Sequence, residues 1–98
     1  MPFYTYILRC ADGSYYTGHT EDLGVRMHQH TDGVGSGYTA KRRPLALLWA
    51  TDCQTRANAF ELERQIKGWS RAKKEALMRG DFDALPDLAR GRSGRREG

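Results

Sequence analysis

The chain has 98 residues, enough for one domain with one modest hydrophobic core and too few for two domains of ordinary size. Sixteen Lys and Arg against twelve Asp and Glu leave a formal charge of +4, which favours a polyanionic partner without identifying it, and 39% hydrophobic residues argue against a wholly disordered chain. No apolar run approaches the roughly 20 residues needed to cross a bilayer, and the first ten residues lack a secretory signal's charged start and cleavage site, so a cytoplasmic protein away from membranes is expected.

From Phe3 to Cys10 the residues are aromatic, β-branched or aliphatic, broken by Arg9. Asp12-Gly13 then supplies a turn before Ser14-Tyr15-Tyr16-Thr17, which predicts a β-hairpin from Phe3 to His19. Thr20-Glu21-Asp22 offers capping side chains for a short helix beginning near Leu23, with Leu23 and Met27 on one face and Gly33 as its stop. Gly33, Gly35 and Gly37 make the next stretch a loop, followed by Lys41-Arg42-Arg43 and by Pro44, which fixes entry to a new element. Leu45-Ala46-Leu47-Leu48-Trp49 is too short and too uniformly apolar for a surface helix, and is expected as a buried third strand.

Thr55 caps a long helix in which Ala59, Leu62, Ile66 and Trp69 follow helical spacing, and Gly68 ends or bends it. Ser70 caps another helix from Arg71 to Arg79, with Gly80 as its terminator. One further turn is expected over 81–88, and from Ala89 the chain has no large apolar residue, which predicts a disordered basic tail. The expected organisation is a domain over 1–80 and an extension over 81–98. Cys10 and Cys53 form no Cys-x-x-Cys pair and read as small core residues in a reducing compartment.

Three features invite a chemical reading. The hairpin turn brings Tyr6, with Tyr4, close to Tyr16; such a pairing serves either an active site or cross-strand packing. Arg26 and His30 are four residues apart and so share one helical face, where a guanidinium and an imidazole suit a phosphate, unless both simply face solvent. Glu63 lies at the edge of the long helix's apolar stripe, where a carboxylate can serve Mg²⁺ or pair with Lys67. A transition-metal site built on His19, His28 and His30 is disfavoured, since His28 and His30 point in different directions on a helix.

In order, Tyr4-Thr5-Tyr6, Tyr16-Thr17-Gly18, Arg26, His30, Tyr38 and Glu63 resemble the GIY-YIG nuclease superfamily, and more narrowly its small single-domain bacterial members. Tyr6 to Ser14, Tyr16 to Thr20 and Ile66 to Arg71 carry the match, which covers about 1–80. The resemblance implies an α+β fold, a small three-stranded antiparallel sheet flanked by helices, with a cleft over one sheet face. It makes Tyr6 and Tyr16 paired active-site tyrosines and Gly18 the small residue that lets substrate approach. Arg26 would contact the scissile phosphate, His30 and Tyr38 would assist, and Glu63 would hold Mg²⁺ or Mn²⁺. The basic groups Lys41, Arg42, Arg43 and Lys67 would add contacts to substrate. The chain departs from the pattern in reading Tyr-Thr-Tyr for Gly-Ile-Tyr, in Thr17 for Ile, and in having no Asn after Asn58.

The implied activity is metal-dependent endonucleolytic hydrolysis of DNA, in the processing or repair of structured or damaged DNA. Which tyrosine accepts the water's proton, or whether His30 relays it, stays open at this point. The competing readings are a nucleic-acid-binding module without turnover of its own, and an interaction module that self-associates through its hairpin or takes a protein partner. The last nine residues carry +3 of the charge, so the rest of the chain is nearly neutral. The argument for nucleic acid therefore rests on where basic groups cluster, at Lys41-Arg42-Arg43 and over Arg64 to Lys74.

Overall fold

A computed structural model of the chain describes residues 2–81. The turn expected over 81–88 and the basic tail fall outside these residues, apart from Asp81. The elements are β1 (Phe3–Arg9), β2 (Tyr15–Thr20), α1 (Leu23–Thr31), α2 (Gly37–Ala40), β3 (Ala46–Cys53), α3 (Arg56–Lys67) and α4 (Arg71–Arg79). They form an α+β fold with a three-stranded sheet of order β2-β1-β3, antiparallel at both pairings. The chain divides into two compact units, Met1–Arg64 and Gln65–Gly98.

In the first unit the hairpin forms because its turn is chemically specified. Asp12 Oδ1 accepts from the Ser14 amide at 3.0 Å and the Ser14 hydroxyl at 2.6 Å, while Gly13 takes φ +87°, which a side chain would oppose. β1 is paired on both edges, so Thr5, Tyr6, Ile7 and Leu8 are all buried, on alternating sheet faces. The Thr5 hydroxyl donates to the Ala59 carbonyl at 2.9 Å and ties α3 to the face opposite Tyr6. Asp22 caps α1, accepting from the Val25 amide at 3.0 Å, and Gly33 follows the helix at φ +85°.

The third strand differs from expectation. It runs four residues further than Leu45 to Trp49 suggests, and it is an edge strand with Leu47 46% and Leu48 40% exposed. The central position goes to β1, so β3 has a sheet partner on one side. An irregularity between Ile7 and Leu8 pairs Ile7 with Trp49 and Leu8 with Leu47, leaving Leu48 as the extra residue of a bulge. A short apolar run reports strand character but not whether the strand is central.

The glycine-rich stretch also holds more structure than a loop. Ser36 accepts from the Thr39 amide at 3.1 Å and caps the single turn of α2. In the second unit, Ser70 caps α4 by accepting from the Lys73 amide at 3.1 Å, and Gly80 closes it in the left-handed conformation, as the sequence predicts. Lys73 lies 3.9 Å from the Trp69 ring centroid, a cation over an aromatic face within this unit.

Candidate active site

The hairpin register sets the site. Tyr6 stands opposite Gly18 and Leu8 opposite Tyr16, so both phenols project from the same sheet face with ring centroids 6.5 Å apart. α1 brings His30 over them, edge-on to Tyr6 at 5.8 Å and to Tyr16 at 5.5 Å. Tyr38, from α2, stacks on the outer side of Tyr16 at 5.9 Å. Four of the residues singled out in the sequence, Tyr6, Tyr16, His30 and Tyr38, thus form one aromatic cluster.

Within it runs a buried polar chain. Tyr6 Oη lies 2.9 Å from His30 Nε2, and His30 Nδ1 lies 2.9 Å from Thr39 Oγ1. Thr39 donates onward to the Ser36 carbonyl, so its oxygen accepts from His30 Nδ1–H, which leaves Nε2 to accept the Tyr6 proton. Tyr6, His30 and Thr39 are all almost wholly buried. Burial pushes the Tyr6 phenol up to about 12; Tyr16 adds to the rise, the charge and hydrogen bond of Arg26 oppose it, and Glu63 adds a further upward push. Burial first, and then the charge of Arg26, lower the His30 imidazole below its ordinary range, keeping it neutral.

Arg26 therefore acts on both Tyr6 and His30 from one turn earlier on α1. Glu63, on α3, reaches the same cluster through its field on Tyr6, and its carboxylate is itself buried, with Oε1 2.6 Å from His19 Nδ1. A groove of about 290 Å³ opens beside Arg26, lined also by His19, Gln29 and Arg56.

Gly18 has its own structural reason here. A Cβ built on it would lie 2.6 Å from Tyr6 Oη, so the missing side chain is the space that seats the phenol. Gly35, which sequence reasoning passes over as one of several loop glycines, does the same for His30, whose ring atoms a Cβ would overlap. Thr39 and Ser36 were also missed, because hydroxyl residues in a glycine-rich stretch give no periodic signal. His19 enters the sequence reading only as one member of a disfavoured histidine trio. The one clue to its place is that it follows Gly18.

The basic residues are placed unequally. Arg42 lies 3.8 Å from the Tyr38 ring centroid, donates from Nε to Asp12 Oδ2 at 3.1 Å and from Nη1 to the Tyr38 carbonyl at 2.9 Å. Tyr38 in turn donates to Ser14 Oγ at 2.8 Å, which joins the hairpin turn to α2. Hydrogen bonds from Ser14, and then Arg42, hold the Asp12 carboxyl below its usual range. Arg43 donates to the Ala40 and Thr31 carbonyls and lies against Gly33, so it braces the loop. Lys41 is exposed, and Lys67 is exposed in the second unit.

For a metal ion the donor set is narrow. Among the described residues no group of three or more His, Cys, Asp or Glu could hold one. Glu63, a hard oxygen donor hydrogen-bonded to the groove residue His19, suits a divalent ion that takes one carboxylate and completes its shell with water and phosphate. Cys10 and Cys53 are both free thiols, Cys10 buried. No helix among the described residues is long and apolar enough to cross a membrane.

Comparison with known proteins gives a consistent result. The family model of the GIY-YIG catalytic domain matches residues 2–76. A UPF0213 protein of Bacillus pumilus is 43% identical over 75 residues, 76% of this chain and 76% of its own length. A UPF0213 protein of Staphylococcus aureus is 38% identical over 76 residues, 78% of this chain and 93% of its own. Among solved structures, the UPF0213 protein of Bacillus halodurans is 42% identical with a TM-score of 0.51, covering 79% of this chain and 82% of that one. A protein from E. faecalis is 34% identical with a TM-score of 0.59, covering 84% and 88%. With the catalytic-domain model matched over most of the chain and relatives at 38–43% identity, the chain belongs to the GIY-YIG family of nuclease-like catalytic domains.

Proposed function

We propose that the protein is a divalent-metal-dependent endonuclease that hydrolyses phosphodiester bonds in DNA, acting on branched, nicked or damaged structure. One observation carries this reading: Arg26 and His19, the hydrogen-bond partner of Glu63, line one groove, and the helix and strand that carry them also carry His30 and Tyr16 of the aromatic cluster, so positive charge, a metal-capable oxygen and aromatic hydroxyls fall in one neighbourhood. Hydrolysis needs those three things: neutralisation of charge on the phosphoryl oxygens, an oriented water and stabilisation of the leaving oxygen.

The two tyrosines take different roles. A phenol at about 12 stays protonated at neutral pH, and Tyr6 is fully buried with its hydroxyl donating a hydrogen bond to His30 Nε2. Tyr6 is therefore a positioning residue. His30 has each ring nitrogen engaged, by Tyr6 and by Thr39, and serves as the rigid wall against which Tyr16 packs. Tyr16, half-buried, is the phenol that meets the attacking water, and Arg26 faces the phosphate. Glu63 would hold Mg²⁺ or Mn²⁺, which supplies Lewis-acid stabilisation of developing oxygen charge when bound.

The test is cleavage of labelled linear, nicked and branched DNA with Mg²⁺ or Mn²⁺ by the wild type and by Arg26→Ala, Glu63→Ala and Tyr16→Phe. Loss of a charge-stabilising group costs on the order of 10²-fold or more in rate, so Arg26→Ala and Glu63→Ala should retain little turnover. Cleavage untouched by either substitution would refute the assignment. Salt-sensitive DNA retention with no product from any substrate or metal would replace it with a binding module.

A further inference from the structure

The contact between His19 and Glu63 has no place in the nuclease motif, yet at 2.6 Å it is among the shortest side-chain pairs in the first unit. A carboxylate oxygen accepts and an imidazole N–H donates, so Nδ1–H of His19 gives its proton to Oε1 of Glu63. The His19 ring is held edge-on against Phe60 with centroids 5.4 Å apart, and the Arg64 guanidinium lies 5.9 Å from the other partner's ring centroid, that of Phe60. His19 is thus fixed by packing, and Glu63, at 8% exposure, has little room to turn away from it. An oxygen that accepts so short a bond is held toward the imidazole, which fixes the orientation of the whole carboxylate.

We propose that His19 is a positioning residue that fixes the orientation of the Glu63 carboxylate toward a divalent ion, and so favours Mg²⁺ or Mn²⁺ over Ca²⁺. The inference rests on the reading above that Glu63 holds the ion. Mg²⁺ demands compact octahedral geometry, keeps several waters and is satisfied by a single carboxylate oxygen. Ca²⁺ takes six to eight oxygens and readily uses a carboxylate through both. A carboxylate held in one orientation therefore suits the exacting geometry of Mg²⁺ and gives the adaptable shell of Ca²⁺ no advantage. Partners that orient a ligating carboxylate contribute about 10- to 100-fold in metal affinity.

The experiment titrates Mn²⁺ into the full chain, following free Mn²⁺ by electron paramagnetic resonance, alone and in competition with Ca²⁺ or Mg²⁺. His19→Ala should weaken Mn²⁺ binding by about 10-fold and narrow the preference for Mn²⁺ over Ca²⁺. His19→Asn places an amide N–H near the position of Nδ1, and should recover most of both; circular dichroism confirms that each variant is folded. Unchanged Mn²⁺ affinity and Ca²⁺ competition in His19→Ala would overturn the proposal. So would His19→Asn binding as weakly as His19→Ala, or Mn²⁺ binding that Glu63→Ala leaves intact. DNA cleavage assayed in parallel separates the two readings. A wild type that binds Mn²⁺ with this dependence on His19 but cuts no DNA removes the nuclease and leaves the positioning role. Equal metal binding and cutting in wild type and His19→Ala removes the positioning role alone.

Discussion

Gly18→Ala is the sharpest test of the site's architecture, because elementary propensity and the structure predict opposite signs. Alanine restricts the unfolded chain more than glycine, and at a strand position with ordinary backbone angles the exchange stabilises by about 0.4–1 kcal/mol. Here the new Cβ falls 2.6 Å from Tyr6 Oη and 2.8 Å from Tyr6 Cζ, against a comfortable carbon contact of about 3.5–4.0 Å. The end of the ring must move by about 1 Å. Tyr6 is 0% exposed and its hydroxyl is 2.9 Å from His30 Nε2, so a shift of that size takes the pair out of hydrogen-bonding range. Overpacking costs about 1–3 kcal/mol and an unpaired buried polar group about 1–3 kcal/mol more. After the gain from the unfolded state, a net loss of about 1–5 kcal/mol remains. Urea unfolding measures it, and the cycle with Tyr6→Phe locates it: removing the hydroxyl relieves the closest contact, so Gly18→Ala should cost at least about 1 kcal/mol less in that background. A Gly18→Ala protein as stable as wild type, or an equal cost in both backgrounds, would refute the claim that this glycine exists to seat the phenol.

Thr17, opposite Ile7 on β2, is 2% exposed, and its Oγ1 is buried without a hydrogen-bond partner. Thr17→Val keeps the shape and removes the unsatisfied hydroxyl, so it should stabilise by about 1 kcal/mol, a rise of about 4–8 °C in Tm by calorimetry; no rise would mean the hydroxyl is satisfied. Arg42→Ala removes the cation over Tyr38 and the bond to Asp12, and should cost about 1 kcal/mol while shifting the Tyr38 and Tyr16 ring resonances. Unmoved rings would show that Arg42 is not part of the brace. His30 is held below its ordinary value near 6.5, so the unfolded chain takes up that proton first as pH falls. Its contribution is complete above about pH 6.5 and is lost as pH drops through the folded value, which urea midpoints from pH 7.5 to 5 should register as a slope that His30→Gln flattens. An unchanged slope in that variant would place the acid sensitivity elsewhere.

What the sequence disclosed follows the range of the forces involved. The hairpin and α3 were legible because local chemistry specifies them: Asp12-Gly13 for the turn, and Ala59 and Ile66, both 0% exposed, for the buried helix face. Arg26 and His30 were correctly placed on one ridge because helical spacing alone decides that. The edge position of β3 was not legible, since pairing order depends on which strand occupies the centre, and an apolar run carries no mark of it. The partners of His30 were hidden for a related reason. Thr39 reaches it through α2, a four-residue helix set by Ser36, in a stretch whose glycines read as a loop. Gly35 is required there by the imidazole it touches and not by its own backbone angle, a reason that exists only in three dimensions.

The motif therefore mixes two kinds of residue that sequence order cannot separate. Tyr6, His30 and Thr39 lie in the interior, joined by bonds of 2.9 Å that satisfy one another. Such a chain is favourable only when complete, since each member left unpaired in a low-dielectric interior carries a full desolvation penalty. That is a sufficient structural reason for phenol and imidazole at these two positions, whether or not either group exchanges a proton with substrate. Tyr16 is half-buried against His30 and Tyr38, and Arg26 influences the interior pair while lining the adjacent groove. The inner group thus fixes where a wall stands, and under the proposed function the outer group stands on the side offered to a phosphate. Two tyrosines that read alike in the sequence occupy unlike environments, and the burial of one is what gives the other a fixed surface to pack against.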